Sequence, residues 1–319
     1  MKNMKKWHSG YVAMIAASVS LIGFSACQDD EGPMIPEQNV VELAAEDPDF
    51  NTLSTAIEEA DLVTTLSSDG PFTVFAPTDA AFGSFLIDND LTAEELLASS
   101  SLSDILTYHV VSGTRLSTDL ESGAVSSLEG TNFYISEDPT GNFWINGSAQ
   151  VTEADIRASN GVIHQLDGVI VNPSQTIAEI AVEASEATNP EFTQLVAALN
   201  RVDLVEEVNG GSSDNLTVFA PTDAAFEQLY EDLGVSGLEE ISDENLTSIL
   251  LYHVVPARAF SQDLRQDASL PTLLEGENLT VDLANLQINE SGLISNSLNI
   301  HGINGVIHAI DRVLIPSGL

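Results

Sequence analysis

Lysine is missing from almost the entire chain. All three lysines of this 319-residue sequence (Lys2, Lys5 and Lys6) lie in the first six residues. Beyond them stand six arginines against 49 acidic residues, a balance of −43. A surface of that sign repels phosphate backbones and anionic lipid head groups, which excludes nucleic acid as a partner and leaves no electrostatic route to a membrane. Two readings of the acidity stand: a solvated coat that keeps an exported protein soluble, or adaptation to high salt, where screening removes self-repulsion.

Cysteine is nearly absent too. With Cys27 alone there is no internal disulfide, so each fold stands on its apolar core. No Cys/His cluster has zinc spacing. No G-x-S-x-G elbow occurs. The adjacent carboxylates Glu94–Glu95 and Glu239–Glu240 point apart on a helix and cannot flank one bond. Asp88–Glu95 has half the look of an EF-hand loop but lacks its central glycine, and Thr92-x-x-Glu95 reads better as a helix capping box. No catalytic residue, metal site or cofactor is assigned from these patterns. An enzyme is not expected, and a calcium-dependent or glycan-active envelope protein is the alternative reading.

What is present begins with the leader. A basic head precedes the apolar run Tyr11–Ala26, too short and too rich in Ser and Gly to span a membrane comfortably, and the whole fits a secretory signal peptide over residues 1–26. "FSAC" ends at Cys27 and resembles a bacterial lipobox, with Phe24 in place of the usual leucine. Cys27 is the expected lipidation site. The acidic, proline-containing segment 27–39 then reads as a flexible tether resembling the surface-export signal of Bacteroidetes lipoproteins. The expectation is an outer-membrane lipoprotein exposed at the cell surface, touching the membrane through its lipid anchor only.

The remainder is written twice. "TVFAPTDAAF" occupies Thr73–Phe82 and Thr217–Phe226; "YHVV" occupies Tyr108–Val111 and Tyr252–Val255; "NGVIH" occupies Asn160–His164 and Asn304–His308. The offset is 144 each time, falling to 142 upstream of the Gly/Ser/Asn loop at 209–215. A unit this long is a domain rather than a solenoid repeat. The division predicted is residues 40–173 and 174–319, with a link at 172–176 short enough to restrict orientation.

Within each copy, Phe50, Leu53, Ile57 and Ala60, and again Phe192, Leu195, Val196 and Leu199, recur at helical spacing. The decapeptide reads as a strand-to-helix corner: Thr73–Phe75 extend, Pro77 ends the strand, Thr78 caps a helix, and Phe82 turns inward. Leu102, Ile105, Leu106 and His109 share one helical face, so His109 and its counterpart His253 are expected as buried neutral imidazoles. Asn160-Gly161 and Asn304-Gly305 are read as two-residue hairpin turns. Helices first and strands later argue an α+β fold.

Three motifs in this order, twice, resemble the fasciclin (FAS1) domain. The resemblance covers both copies nearly end to end. It implies, for each, two small β-sheets in a wedge with helices along one edge. It also implies extracellular adhesion by surface contact rather than catalysis, with an extracellular protein or polysaccharide as partner. Binding in animal members involves segments near the Tyr-His motif and an Asp-Ile pair. Carried over residue by residue, that marks Asp104, Tyr108 and His109 as candidate binding residues, with Tyr252 and His253 in the second copy, where "TSIL" lacks the aspartate.

Overall fold

The computed structural model describes residues 37–210 and 215–319. The leader, Cys27, the tether as far as residue 36 and most of the 209–215 loop lie outside the described residues. The two copies form one compact unit.

Domain 1 opens with α1 (Val40–Glu46), α2 (Asn51–Glu59) and α3 (Val63–Leu66). Next come β1 (Phe72–Pro77), α4 (Asp79–Asp88), α5 (Ala93–Leu97) and α6 (Leu102–Tyr108). Six strands follow: β2 (Val110–Ser112), β3 (Gly123–Ser126), β4 (Asn132–Glu137), β5 (Phe143–Ile145), β6 (Ala149–Ala158) and β7 (Gly161–Leu166). Domain 2 repeats the plan with α7 (Ile177–Glu186), α8 (Thr193–Arg201), α9 (Val205–Asn209), β8 (Leu216–Pro221), α10 (Asp223–Leu233) and α11 (Asp243–Tyr252). Its remaining strands are β9 (Val254–Val255), β10 (Ser269–Pro271), β11 (Asn278–Asp282), β12 (Gln287–Ile288), β13 (Ser291–Gly292), β14 (Ile300–Gly302) and β15 (Gly305–Ile310).

The decapeptide is the corner its residues predict. Pro77 is the last residue of β1, and the Thr78 side chain accepts a hydrogen bond from Ala81 N at 3.1 Å. Phe82 is buried beneath it. The second copy repeats this with Thr222 and Ala225. Thr92 and Glu95 form the capping box.

Each domain holds one parallel pair, β1 with β7 and β8 with β15, inside otherwise antiparallel sheets. In domain 1 the long, bulged β6 carries the pairing onward, so seven strands run in the order β2-β1-β7-β6-β5-β4-β3. Domain 2 keeps two four-stranded sheets. Two clusters make each core. In domain 1 the helices pack on one sheet face through Leu53, Ile57, Phe82, Leu102, Leu106 and Ile163, and Phe75, Tyr108, Phe133, Ile145 and Leu166 fill the opposite side. Burying each such side chain contributes about 1.5–3 kcal/mol, in place of the disulfides the chain lacks.

Two expectations need correction. Each copy starts one helix earlier than the spacing from Phe50 and Phe192 suggests, at α1 and α7. Both carry apolar residues at i, i+3 and i+4 (Val40, Leu43 and Ala44; Ile177, Ile180 and Ala181), so the pattern was present in the sequence. The Asn-Gly pairs are not the hairpin turns. Ala158 pairs with Gly161 and Gly302 with Gly305, which leaves Ser159–Asn160 and Ile303–Asn304 as the loop residues. Neither Asn160 nor Gly161 has the positive φ of a type I′ turn. Gly161 is required because a Cβ there would lie 2.1 Å from Phe72 O on the parallel neighbour. Asn160 is required because its amide is a buried clasp. Its Oδ1 accepts from Val40 N at 2.9 Å, and its Nδ2 donates to Leu66 O and Ser68 O, both at 2.8 Å. Asn304 does the same for Ile177 N, Val208 O and Asn209 O.

Candidate functional site

Helix α6 presents Asp104 to solvent and carries Tyr108 and His109 into the core. Tyr108 is 0 % exposed and His109 2 %. The Tyr108 hydroxyl donates to Asn132 O at 3.0 Å and accepts from Asn146 Nδ2 at 3.2 Å; burial pushes it up to about 12. His109 Nδ1 donates to Ile105 O at 2.7 Å while Nε2 accepts from Ile170 N at 3.0 Å. An imidazole with one donor and one acceptor used is neutral, and burial lowers it to about 4. Tyr252 and His253 repeat these roles. The Tyr252 hydroxyl lies between Asn278 O and Asn289 Nδ2. His253 bridges Ile249 O and Leu314 N and is likewise lowered to about 4 by burial. The Tyr-His motif thus ties α6 and α11 to the strands and closing segments, and the four aromatic candidates lie inside the fold.

Asp104 is the candidate that a partner can reach. It stands at the rim of a cleft of about 310 Å³ with Ser101, Ile105, Glu129, Val171 and Asn172. A hydroxyl, two carboxylates and an amide surround an apolar floor there. In the second copy the position of Asp104 holds Ser248, whose hydroxyl turns back to Glu244 O.

His164 and Asp167 do not meet. His164 Nε2 donates to Arg115 O at 2.8 Å and Nδ1 accepts from Asp155 N at 3.3 Å. Asp167 instead accepts from Gln150 N. His308 repeats the pattern with Ala259 O and Asn299 N. Among the described residues, no three His, Cys, Asp or Glu side chains converge as a metal-binding group.

A second concentration of polar and aromatic groups, not anticipated from the sequence, lies where the domains meet. Tyr134 of β4 is wedged between Phe260, His301 and Arg258. Ring centroids are 6.2 Å from Phe260 and 5.9 Å from His301, and the guanidinium carbon of Arg258 stands 4.3 Å over the ring. Arg258 is itself held by Gly302 O, Gly305 O and Ile303 O at 2.8–3.0 Å. Gly147 O accepts from Asn299 Nδ2 at 2.7 Å and from Gln262 Nε2 at 3.1 Å. Ser136 Oγ donates to Asp263 at 2.9 Å, and Arg265 donates to Glu137 O at 2.7 Å. Gly147 has φ +64°, and a Cβ there would come within 2.6 Å of the Phe260 ring. Burial, then the Arg258 charge, lowers His301 to about 3; burial raises Asp263. The readable signal was a difference between copies: Arg258 and Phe260 stand where the first copy has Thr114 and Leu116.

Comparison with known proteins agrees with this architecture. A family model of the fasciclin domain matches residues 48–172 and again 190–316. Protein sll1483 of Synechocystis sp. is 45% identical over 139 residues, covering 42% of this chain and 73% of its own length. Human periostin is 29% identical over 257 residues, 79% of this chain but only 29% of periostin. The solved FAS1 domain pair from the insect cell adhesion molecule fasciclin I aligns over 82% of this chain and 92% of its own, with a TM-score of 0.36 and 18% identity. With the fasciclin domain model matched twice, over more than half of the chain, the chain belongs to the fasciclin family as a tandem pair of FAS1 domains.

Proposed function

We propose that this protein is a non-catalytic adhesion module, lipid-anchored at Cys27 in the outer membrane and facing outward, which binds extracellular protein or polysaccharide. The cleft beside Asp104 carries the reading. Its mixed hydroxyl, carboxylate and amide rim above Ile105 and Val171 suits the alternating hydroxyls and apolar faces of a sugar chain better than a phosphate or other anion. Family membership supports contact rather than turnover. The test is binding of the protein to arrayed glycans and to extracellular polysaccharide, with Asp104→Ala beside the native chain. Binding weakened about tenfold by the substitution is the expected result. Binding unchanged by Asp104→Ala, or absent to every glycan and surface extract, would remove the assignment of this cleft. Retention of a Cys27→Ser protein in the membrane fraction would remove the anchor.

A further inference from the structure

Two clefts of domain 1 share a wall. The cleft beside Asp104 ends on Val171 and Asn172. A smaller cleft of about 130 Å³ is lined by Ser148, Val171 and Pro173 of domain 1 together with Asn299 and His301 of domain 2. Val171 lines both clefts, and 42 % of it is exposed. Domain 2 thus supplies part of the surface that adjoins the candidate site, through the end of β14 and the residue before it.

His301 differs from the other histidines described. His109, His164, His253 and His308 each spend both ring nitrogens inside the fold, one on a backbone carbonyl and one on a backbone N–H. Among the described residues, His301 spends neither. Its ring is steadied by edge contacts with Tyr134 and Phe260, whose centroids lie 5.9 and 5.4 Å away. A phenyl ring would pack there equally well, without the cost of desolvating two polar atoms. No sealed-in side-chain nitrogen or oxygen among the described residues lacks a partner, so the His301 nitrogens keep access to open space, and the small cleft is a space they line. Burial and the Arg258 charge keep this imidazole neutral. A neutral imidazole offers one donor and one acceptor, which is what a sugar hydroxyl needs in return. The first copy has the exposed Arg157 at this position.

We infer that His301 is a binding residue contributed by domain 2, and that a sugar chain held at Asp104 runs over Val171 to reach it. The inference rests on the reading of the Asp104 cleft as a glycan site. At one end the chain meets Asp104, Glu129 and Asn172; an apolar ring face lies on Val171; at the other end hydroxyls meet His301 and the exposed Ser148. At about 130 Å³ the inner cleft is well below the roughly 300 Å³ at which pockets hold a whole ligand, so it takes the end of a longer chain and not a ligand of its own. A chain that touches both domains favours their joined form over a parted one, and its binding therefore stabilises the joint.

The experiment is calorimetric titration of the full chain with extracellular polysaccharide that has been partly hydrolysed and fractionated by length, from disaccharides upward. Native affinity is expected to rise with length until a fragment spans Val171, and then to level off. His301→Phe keeps a ring between Tyr134 and Phe260 and removes both nitrogens. It is expected to weaken the long fragments about tenfold and to leave the disaccharide unchanged, whereas Asp104→Ala weakens every length. The imidazole carbon–proton signals give a second readout: that of His301 is expected to shift when the long fragment is added, while those of His109, His164, His253 and His308 stay in place. Long-fragment affinity untouched by His301→Phe, an equal loss at every length, or an unmoved His301 signal overturns the inference and leaves the Asp104 reading standing if Asp104→Ala still weakens binding. A native chain that binds no fragment of any length removes both.

Discussion

Asn160 and Asn304 hold equivalent places and make the same three hydrogen bonds; Thr114 and Arg258 also hold equivalent places and share nothing. The two domains agree at the buried threonine, histidine and asparagine pairs (Thr73 and Thr217, His109 and His253, His164 and His308, Asn160 and Asn304) and part company where one domain touches the other. A buried amide left without partners costs about 1–3 kcal/mol for each orphaned group, so the clasp residues have little freedom to drift. A surface residue has that freedom until a neighbour is built against it. The divergent positions therefore mark the joint, and the invariant ones mark the fold.

The comparison can be broken most forcefully at the glycines that should be equal. A Cβ would lie 2.1 Å from Phe72 O at Gly161 and 2.4 Å from Leu216 O at Gly305. Valine at either is expected to cost about 4 kcal/mol or more, read as matching losses in urea unfolding. Tolerance at one position and not the other would show that the domains differ in their β1–β7 and β8–β15 approach.

The joint should be unequal. Phe260→Ala is expected to cost about 3 kcal/mol and to split a single unfolding transition into two, since the lost ring is fully enclosed. Leu116→Ala, its counterpart, should cost under about 1 kcal/mol and leave the transition single. Equal effects would remove the distinction between a used and an unused face.

Acid sharpens the contrast further. His109 and His164 in domain 1, and His253, His301 and His308 in domain 2, all have folded pKa values lowered first by burial. The unfolded chain then binds more protons than the folded one below the ordinary histidine value, so stability falls as pH drops from about 6.5 toward 4. A group lowered from 6.5 to about 4 accounts for roughly 3 kcal/mol across that window. Domain 2 has the extra imidazole, at the joint beside Arg258. Asp263, raised by burial, favours the folded state as it protonates and offsets part of this loss. Hydrogen exchange resolved by domain should show domain 2 and the joint loosening at higher pH than domain 1.

The smallest effect belongs to the exposed ion pair Arg201–Asp243, at 2.6 Å with the aspartate side chain 71% exposed. Asp243→Asn should cost less than about 1 kcal/mol, because Arg201 keeps its bonds to Leu238 O and Ile241 O. A larger loss in a thermal melt would mean that this domain-2 pair, which has no described counterpart in domain 1, is part of the core.

Much of the fold was legible because its signals are local. Thr78, Pro77 and Phe82 specify a corner within ten residues, and Leu102, Ile105 and Leu106 specify a helical face in one turn and a half. The Asn-Gly motif misled because its two residues serve distant partners: the carboxamide serves Val40, and the missing Cβ serves Phe72. Nothing within a few residues of Asn160 tells a clasp from a turn. The candidate site divided on the same line. The helical register of His109 announced its burial, whereas Asp104 faces water and reads the same whether or not a ligand ever meets it. Tyr134 and Phe260 could be paired only once the orientation of the two domains was known.

The clasp has a temporal side. Val40, the first helical residue of its domain, is bonded to a side chain 120 positions later, and β1 finds its parallel neighbour only in the last strand of the domain. A nascent chain emerging from its amino end therefore cannot close its first domain until nearly all of that domain has been made. Long-range pairing of this kind delays the gain of stability until loop closure is complete. The growing polypeptide stays open for most of its synthesis, then locks late and all at once.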